Sequence, residues 1–439
     1  MINLKLSINM MAAVLFTACL TSCESDEFGG GKTIARFDLA NGQALATLGS
    51  AQSRATDGDF SGTEMFKLGD DGQLTAIGVF VNEDGEESRS NLTVSPNAVY
   101  NLTDNYMAFE LCAYYDADGD RVTVSDEYHD LIVRRSDGLI FSTIGIGGSH
   151  YISFKPDFSS FVEDGAGRLL ACFWGEPGCI GRITLSNGKG TWEQLSTDSS
   201  PIMYSEYPRV FAMARGLVGA TAYRGFGTYA SVIYPNGGYD VFNDHTGTSM
   251  VLDEGILELS NNPKYIHLGT AYGESTVEDL PWNEYLDSHA QSWYETSDKV
   301  IFKGSSNYND RSLFYASFDK RTKATTAIKP EYEDNLELWK ENLCSDGRFY
   351  GVASENGKIL KAVSFDPVTL DYTTKDLNIA NEIDITYIAN DSRNAKAQMT
   401  GTRRSDGYKV AVSVNLKTAE TDIIFSDPNR AIISLIPLN

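Results

Sequence analysis

Asp116, Asp118 and Asp120 alternate in the stretch "DADGDRVTVSDE", and Glu127 stands twelfth counting from Asp116. Carboxylates at this spacing can gather round a hard cation, because calcium takes roughly six to eight oxygens, several of them from one short loop. The stretch departs twice from a helix–loop–helix calcium site. Arg121 occupies the place that needs glycine, and the flanks "MAFELCAYY" and "RVTV" alternate like strands. The expectation is a solvated Asp-Gly turn, with a looser calcium loop on a hairpin as the functional alternative.

Cys172 and Cys179 flank "FWGEPG", which reads as a tight turn. A two-residue loop at Gly175-Glu176 would set the two thiols opposite each other and allow a disulfide. A longer loop would offset them. Cys112 and Cys344 read as small buried apolar residues.

Aromatics supply a second candidate. In "LPWNEYLDSHAQSWYETSD", Trp282, Leu286, His289 and Trp293 follow at steps of four, three and four, one face of a helix. Trp282, Tyr285, Trp293 and Tyr294 could present a platform to a sugar ring or a peptide. The structural alternative is that this stripe covers a core, leaving Tyr285 and Tyr294 as its exposed members. A second helix is expected in "YEDNLELWKENL", with Leu336 and Trp339 on one face, as a connector.

No catalytic residue can be named. The five histidines, His129, His150, His245, His267 and His289, include no HExxH and no pair at metal-ligand spacing. There is no GxSxG elbow, no phosphate loop and no dinucleotide fingerprint. Carboxylates are too numerous for a glycosidase pair to stand out.

The elements that would position these groups repeat. A short alternating strand, a polar turn and a second strand recur in "MFKLGDDGQLTAIGVF", "LIVRRSDGLIFSTIG", "GRITLSNGKGTWEQLS", "SVIYPNGGYDVF", "LFYASFDKRTKATTAI", "KAVSFDPVTLDYTT" and "KVAVSVNLKTAETDII". Asp71-Gly72, Asp137-Gly138, Asn187-Gly188 and Asn236-Gly237 are hairpin dipeptides, since Gly and Asn tolerate positive φ. Several turns recur about 50 residues apart, with another strand or pair before each hairpin, which is the period of a four-stranded propeller blade. The fold expected is all-β: a β-propeller over 33–439 of seven blades, with six or eight as alternatives and a β-sandwich pair as the competing architecture. The 84-residue gap between Gly237 and Arg321 is read as one blade plus a small helical insertion around 246–298. The segment from Thr33 is too close to Gly72 to be a blade, so it is expected to join the last blade, around 397–437, and close the ring.

Acidic residues number 60 against 36 Lys and Arg, a net charge of −24 over 439 residues. Such a surface repels nucleic acid and anionic lipid, so nucleic acid is excluded as a partner. The apolar run Met10–Leu20 is too short to span a bilayer and reads as the h-region of a signal peptide over 1–22.

Leu20-Thr21-Ser22-Cys23 resembles a bacterial lipobox. The resemblance implies cleavage before Cys23 and acylation of its sulfur, with outer-membrane lipid as a partner. Glu24-Ser25-Asp26-Glu27 resembles the surface-export signal of Bacteroidota-type lipoproteins, and "FGGGK" completes a flexible 23–32 tether. The blade text from Met65 and Leu131 is similar to surface-exposed lipoproteins of that kind that carry a propeller. It implies an extracellular, lipid-anchored protein of the outer membrane. Two functions then compete: a non-catalytic binder of a glycan, peptide or partner protein, accessory to an outer-membrane uptake system, or a carbohydrate-active hydrolase or lyase on the same scaffold.

Overall fold

The computed structural model describes residues 33–49, 65–83, 85–115, 121–123, 131–143, 146, 154, 159–173, 179–196, 206–224, 227–235, 238–242, 248–259, 264–268, 272–276, 293–305, 313–328, 336–344, 346–355, 358–366, 369, 371–391 and 394–438. Nearly all of them form antiparallel strands, and the described helical turns are two short 3-10 segments, Ala214–Gly216 and Asn378–Asn381. Five sheets are four consecutive strands each, covering 206–242, 248–276, 293–328, 336–376 and 383–427. A sixth combines the chain termini, and the largest has eleven strands. The eleven divide into two antiparallel groups, 33–142 and 159–196, joined by one parallel pair, Ser142 with Lys189. Among the described residues there are thus eight antiparallel units.

Turn chemistry places the strands. Asn187 and Gly188 both have positive φ, 49° and 69°, and form the two-residue hairpin between Ser186 and Lys189. Gly72 and Gly138 are also left-handed, at 75° and 74°. Asn236-Gly237 lies outside the described residues. Two expectations are corrected. Residues 248–276 form a four-stranded sheet where part of a helical insertion is expected. Leu336–Leu343, expected as a helix, is a strand paired along its length with Phe349–Glu355. Its Leu and Glu residues favour a helix only weakly, and a full ladder of pairing overrides that preference.

Each unit touches the next. Thr103 Oγ1 donates to Glu163 (2.5 Å), and Val210 N to Ser160 Oγ (3.2 Å). Ala214 N donates to Asp253 O (2.9 Å), and Asp253 N to Glu295 (2.7 Å). Tyr294 meets Phe349 edge to face at 6.4 Å, and Lys417 pairs with Asp346 at 2.5 Å. Gln398 Nε2 then donates to Gln43 O (3.3 Å), reaching the sheet of the termini.

That sheet returns the succession to its start. Gly42–Gly49 pairs with Ala431–Pro437, from Ala44↔Pro437 to Gly49↔Ala431, and Ser434 Oγ meets Thr47 Oγ1 at 2.9 Å. The join is therefore made by 42–49 with 431–437. Thr33–Asp38 goes elsewhere, pairing with Ile77–Glu83, and 383–427 form a sheet of their own. Arg135, 7% exposed, closes the last gap: its guanidinium donates to Pro437 O, Asn101 Oδ1 and Asp104 O.

Arg135 belongs to a pentapeptide that occurs twice, Arg-Arg-Ser-Asp-Gly at 134–138 and 403–407. Both copies fold alike. The first arginine grips the aspartate bidentately, Arg134 to Asp137 (3.0 and 2.7 Å) and Arg403 to Asp406 (3.0 and 2.6 Å). The glycine is left-handed in each, at 74° and 76°. The copies differ in surroundings. Arg404 is exposed and bonds Asp384 and Asn381 O, whereas Arg135 is buried at the join. A Cβ on Gly138 would lie 2.0 Å from Phe37 O, while one on Gly407 would meet nothing within 4 Å.

This twin makes a controlled comparison. Arg135→Met is expected to cost roughly 2–4 kcal/mol, because buried acceptors lose their donor, and Arg404→Met about 1 kcal/mol or less as an exposed pair. Gly138→Ala and Gly407→Ala share a left-handed penalty of roughly 1 kcal/mol, and only Gly138→Ala adds the clash. Urea unfolding of the four variants measures both contrasts; equal losses within either pair would contradict the packing described.

Candidate functional site

Strand polarity sorts the connections between strands into two sets. The first set comprises 39–41, 70–73, 102–105, 135–139, 164–168, 187–188, 213–217, 234–238, 253–254, 269–271, 296–298, 320–324, 344–348, 366–371, 392–395 and 416–420. None exceeds six residues. The contacts between units run through or beside these turns, as with Ala214 and Asp253 or Asp346 and Lys417, so they share one end of the assembly, the turn end. The other connections leave from the opposite, loop end. They include 50–64, 143–158 and 277–292, each fifteen or sixteen residues between its bounding strands, and 116–130, which the short strand Arg121–Thr123 interrupts.

Both functional candidates from the sequence belong to loop-end connections. Asp116, Asp118, Asp120 and Glu127 lie outside the described residues, between Tyr106–Tyr115 and Leu131–Arg134. Tyr115 pairs with Arg121, so the flanks of 116–120 are strands, as expected of a hairpin. Trp282 and Tyr285 also lie outside the described residues, between Tyr272–Thr276 and Trp293–Glu295.

Trp293 and Tyr294 are described, and they do not form a shared platform. They are neighbours on a three-residue strand, so their side chains point to opposite faces. Trp293 stacks on Phe211 with centroids 4.9 Å apart, and Tyr294 packs on Phe349. Both are half-buried and stand close to the Thr296–Asp298 turn. Their position on the strand contradicts the helical stripe at Trp293, and the contacts make them packing residues between sheets. Tyr294, expected as an exposed member, is spent on that packing.

The disulfide is also corrected. In the ladder Cys172 faces Ile180, and Phe173 faces Cys179. Adjacent strand positions alternate faces, so Cys172 packs with Ile180, Val210 and Ala220 while Cys179 packs with Phe154 and Phe173 on the other side. Cys172 and Cys179 form no disulfide and both are buried, as is Cys344. Burial pushes Cys172 strongly upward, and Cys179 and Cys344 each to about 11.

The carboxylates with resolved shifts are held down. Asp137 and Asp406 are lowered first by the arginines that grip them, and Asp319 and Asp427 first by backbone N–H donors. Desolvation opposes the shift in Asp164 and Asp346, but Arg168 and Lys417 with backbone donors outweigh it. A general acid for glycoside cleavage needs the opposite shift. Among the described residues no group of three or more His, Cys, Asp or Glu is placed to hold a metal.

No family model matches the chain, and no curated protein matches it. Solved structures do. A chain from a study of two prolyl endopeptidases is 7% identical with a TM-score of 0.43, over 90% of this chain and 51% of that one. Prolyl oligopeptidase B from Galerina marginata is 10% identical with a TM-score of 0.42, over 83% of this chain and 48% of that one. This chain thus spans about half the length of the solved structures it matches. Likeness at that level assigns no activity.

Two measurements check these chemical environments. At pH 8 the native chain is expected to leave Cys172, Cys179 and Cys344 unalkylated, with all three reacting once unfolded; intact mass lacking two hydrogens at Cys172 and Cys179 would contradict the opposite-face geometry. The lowered aspartates contribute stability that is complete above their unfolded value of about 3.9 and lost as pH falls through the lower folded values. The melting temperature is expected to hold down to about pH 5 and to fall below about pH 4.

Proposed function

We propose that the eight units are blades of a closed β-propeller, and that the protein is a surface-tethered, non-catalytic binder of a glycan, peptide or partner protein. The count is eight because 248–276 supply a blade in place of an insertion, and 159–196 separate from the first group at a single parallel pair. The cycle of contacts from Thr103–Glu163 round to Arg135–Pro437 supports closure. The observation that carries the function is the asymmetry between the two ends. All three connections of fifteen or sixteen residues leave from the loop end, as does the interrupted 116–130 segment, and none on the turn end exceeds six. Long connections on a rigid scaffold are where recognition resides, because their sequence is not constrained by a core.

Acylated Cys23 anchors the chain in outer-membrane lipid, facing the exterior, and the role is accessory to uptake through that membrane. The Asp116–Glu127 connection is the segment that would hold a calcium ion. The carbohydrate-active alternative needs a carboxyl kept protonated, a shift opposite to those of Asp137, Asp164 and Asp346.

A glycan and peptide array, followed by titration of the best ligand, tests the site. Trp282→Ala with Tyr285→Ala is expected to weaken binding at least about tenfold, the loss of one or two stacked rings, with an unchanged melting temperature. Trp293→Ala is expected to lower stability instead. Undiminished binding by the double variant would remove 277–292 as the contact.

A further inference from the structure

Strand Glu86–Asn101 has 16 residues, where the first strands of the five consecutive sheets have between 3 and 9. Its second half pairs with Tyr106–Tyr115, from Thr93↔Tyr115 onward. Its first half pairs with Ile77–Glu83, from Glu83↔Glu86 to Phe80↔Arg89. Among the described residues no strand pairs with the other edge of 86–91. Glu83 and Glu86 close a two-residue turn at the loop end, so they form a hydrogen-bonded pair. By alternation, the N–H and C=O groups of Glu87 and Arg89 point out at the open edge. Charged side chains commonly guard such an edge. Here they are turned inward: Glu87 reaches Arg36 at 2.7 Å and Arg89 reaches Asp38 at 3.0 Å. Both partners stand on Thr33–Asp38, the strand on the far side of Ile77–Glu83. Val79 and Val81 are buried on the central strand's other face, so the edge is held in place.

We propose that Glu86–Asn91 is a docking edge for an extended cationic peptide, which adds to the sheet as a further strand. Main-chain hydrogen bonds to Glu87 and Arg89 supply the contact, and charge selects the occupant. The tip of the hairpin reads Glu83-Asp84-Gly85-Glu86-Glu87. Arg36 answers Glu87, while Glu86 is exposed and has no ion-pair partner among the described residues. A basic side chain of an added strand can meet it. A second copy of the chain is the poorer occupant, because it brings the same acidic tip and another net charge of −24. The inference goes beyond the reading above: it depends neither on the lipid anchor nor on 277–292.

Hydrogen exchange resolved to the amides of Glu87 and Arg89 tests the edge, with a capped synthetic peptide of alternating Lys and Val as the probe. In the chain alone both amides are expected to exchange fast. Protection there that is independent of protein concentration would mean the chain covers its own edge, and protection that rises with concentration would mean a second copy does; either overturns the proposal. The Lys-Val peptide is expected to slow both amides, and a Glu-Val peptide to leave them fast. The Lys-Val peptide with every backbone amide N-methylated is also expected to give no protection; protection equal to that of the parent would overturn strand addition. Glu87→Pro removes one outward N–H and is expected to weaken binding about tenfold, the loss of one or two main-chain hydrogen bonds. Glu87→Gln loses the pair with Arg36 but keeps the N–H, and is expected to retain most of the binding. Equal losses in the two variants would assign the contact to charge alone and overturn the main-chain role.

Discussion

The pairing of Gly42–Gly49 with Ala431–Pro437 is the constraint on which the other units depend. A succession of small antiparallel sheets packed face to face leaves its first and last faces bare, and each would carry unpaired apolar surface into water. Here the C-terminal strand is taken up by N-terminal strands, and Leu435 and Ile432 are buried with Ala44, Ala46 and Leu68. Arg135 then ties the far end of that strand to the first group of strands. Its cost in desolvation is offset because its donors meet fixed carbonyl and amide oxygens. The join is one strand wide, so the stability of 42–49 and 431–437 governs that of the assembly.

Closure also explains why the two ends differ. The turns that lock neighbouring units, such as Lys417 on Asp346 or Asp253 on Glu295, must be short and placed to within hydrogen-bond distance. Aspartates at these turns cap backbone N–H groups and stay ionised, as at Asp319 and Asp164. Once one end is committed to holding the ring, sequence freedom is left to the other. The connections 50–64, 116–130, 143–158 and 277–292 are there.

How much of this was legible in the sequence depends on range. Local signals read correctly: Asn187-Gly188 and Asp137-Gly138 form the hairpins their φ preferences demand. Readings that needed the partner strand failed. Leu336–Leu343 has helical spacing at Leu336 and Trp339, but Leu336 and Leu338 also alternate, and only pairing with 349–355 decides between them. Cys172 and Cys179 look like a bridge because loop length, not composition, sets which face each thiol takes. The sheet at 248–276 was hidden because its turn is Asp253-Glu254, with no hairpin dipeptide to mark it. One signal was present and unread: the duplicated Arg-Arg-Ser-Asp-Gly, whose first copy carries the buried arginine. The candidate site was legible only as to which segments supply it.

The central claim is that the loop end does the work while the turn end holds the ring. Photo-crosslinking on intact cells tests it most directly, with benzoylphenylalanine at Ser405 or at Lys189, each exposed at its own end. The account predicts crosslinked adducts from Ser405 and none from Lys189. Adducts from Lys189 alone, or equally from both, would contradict it.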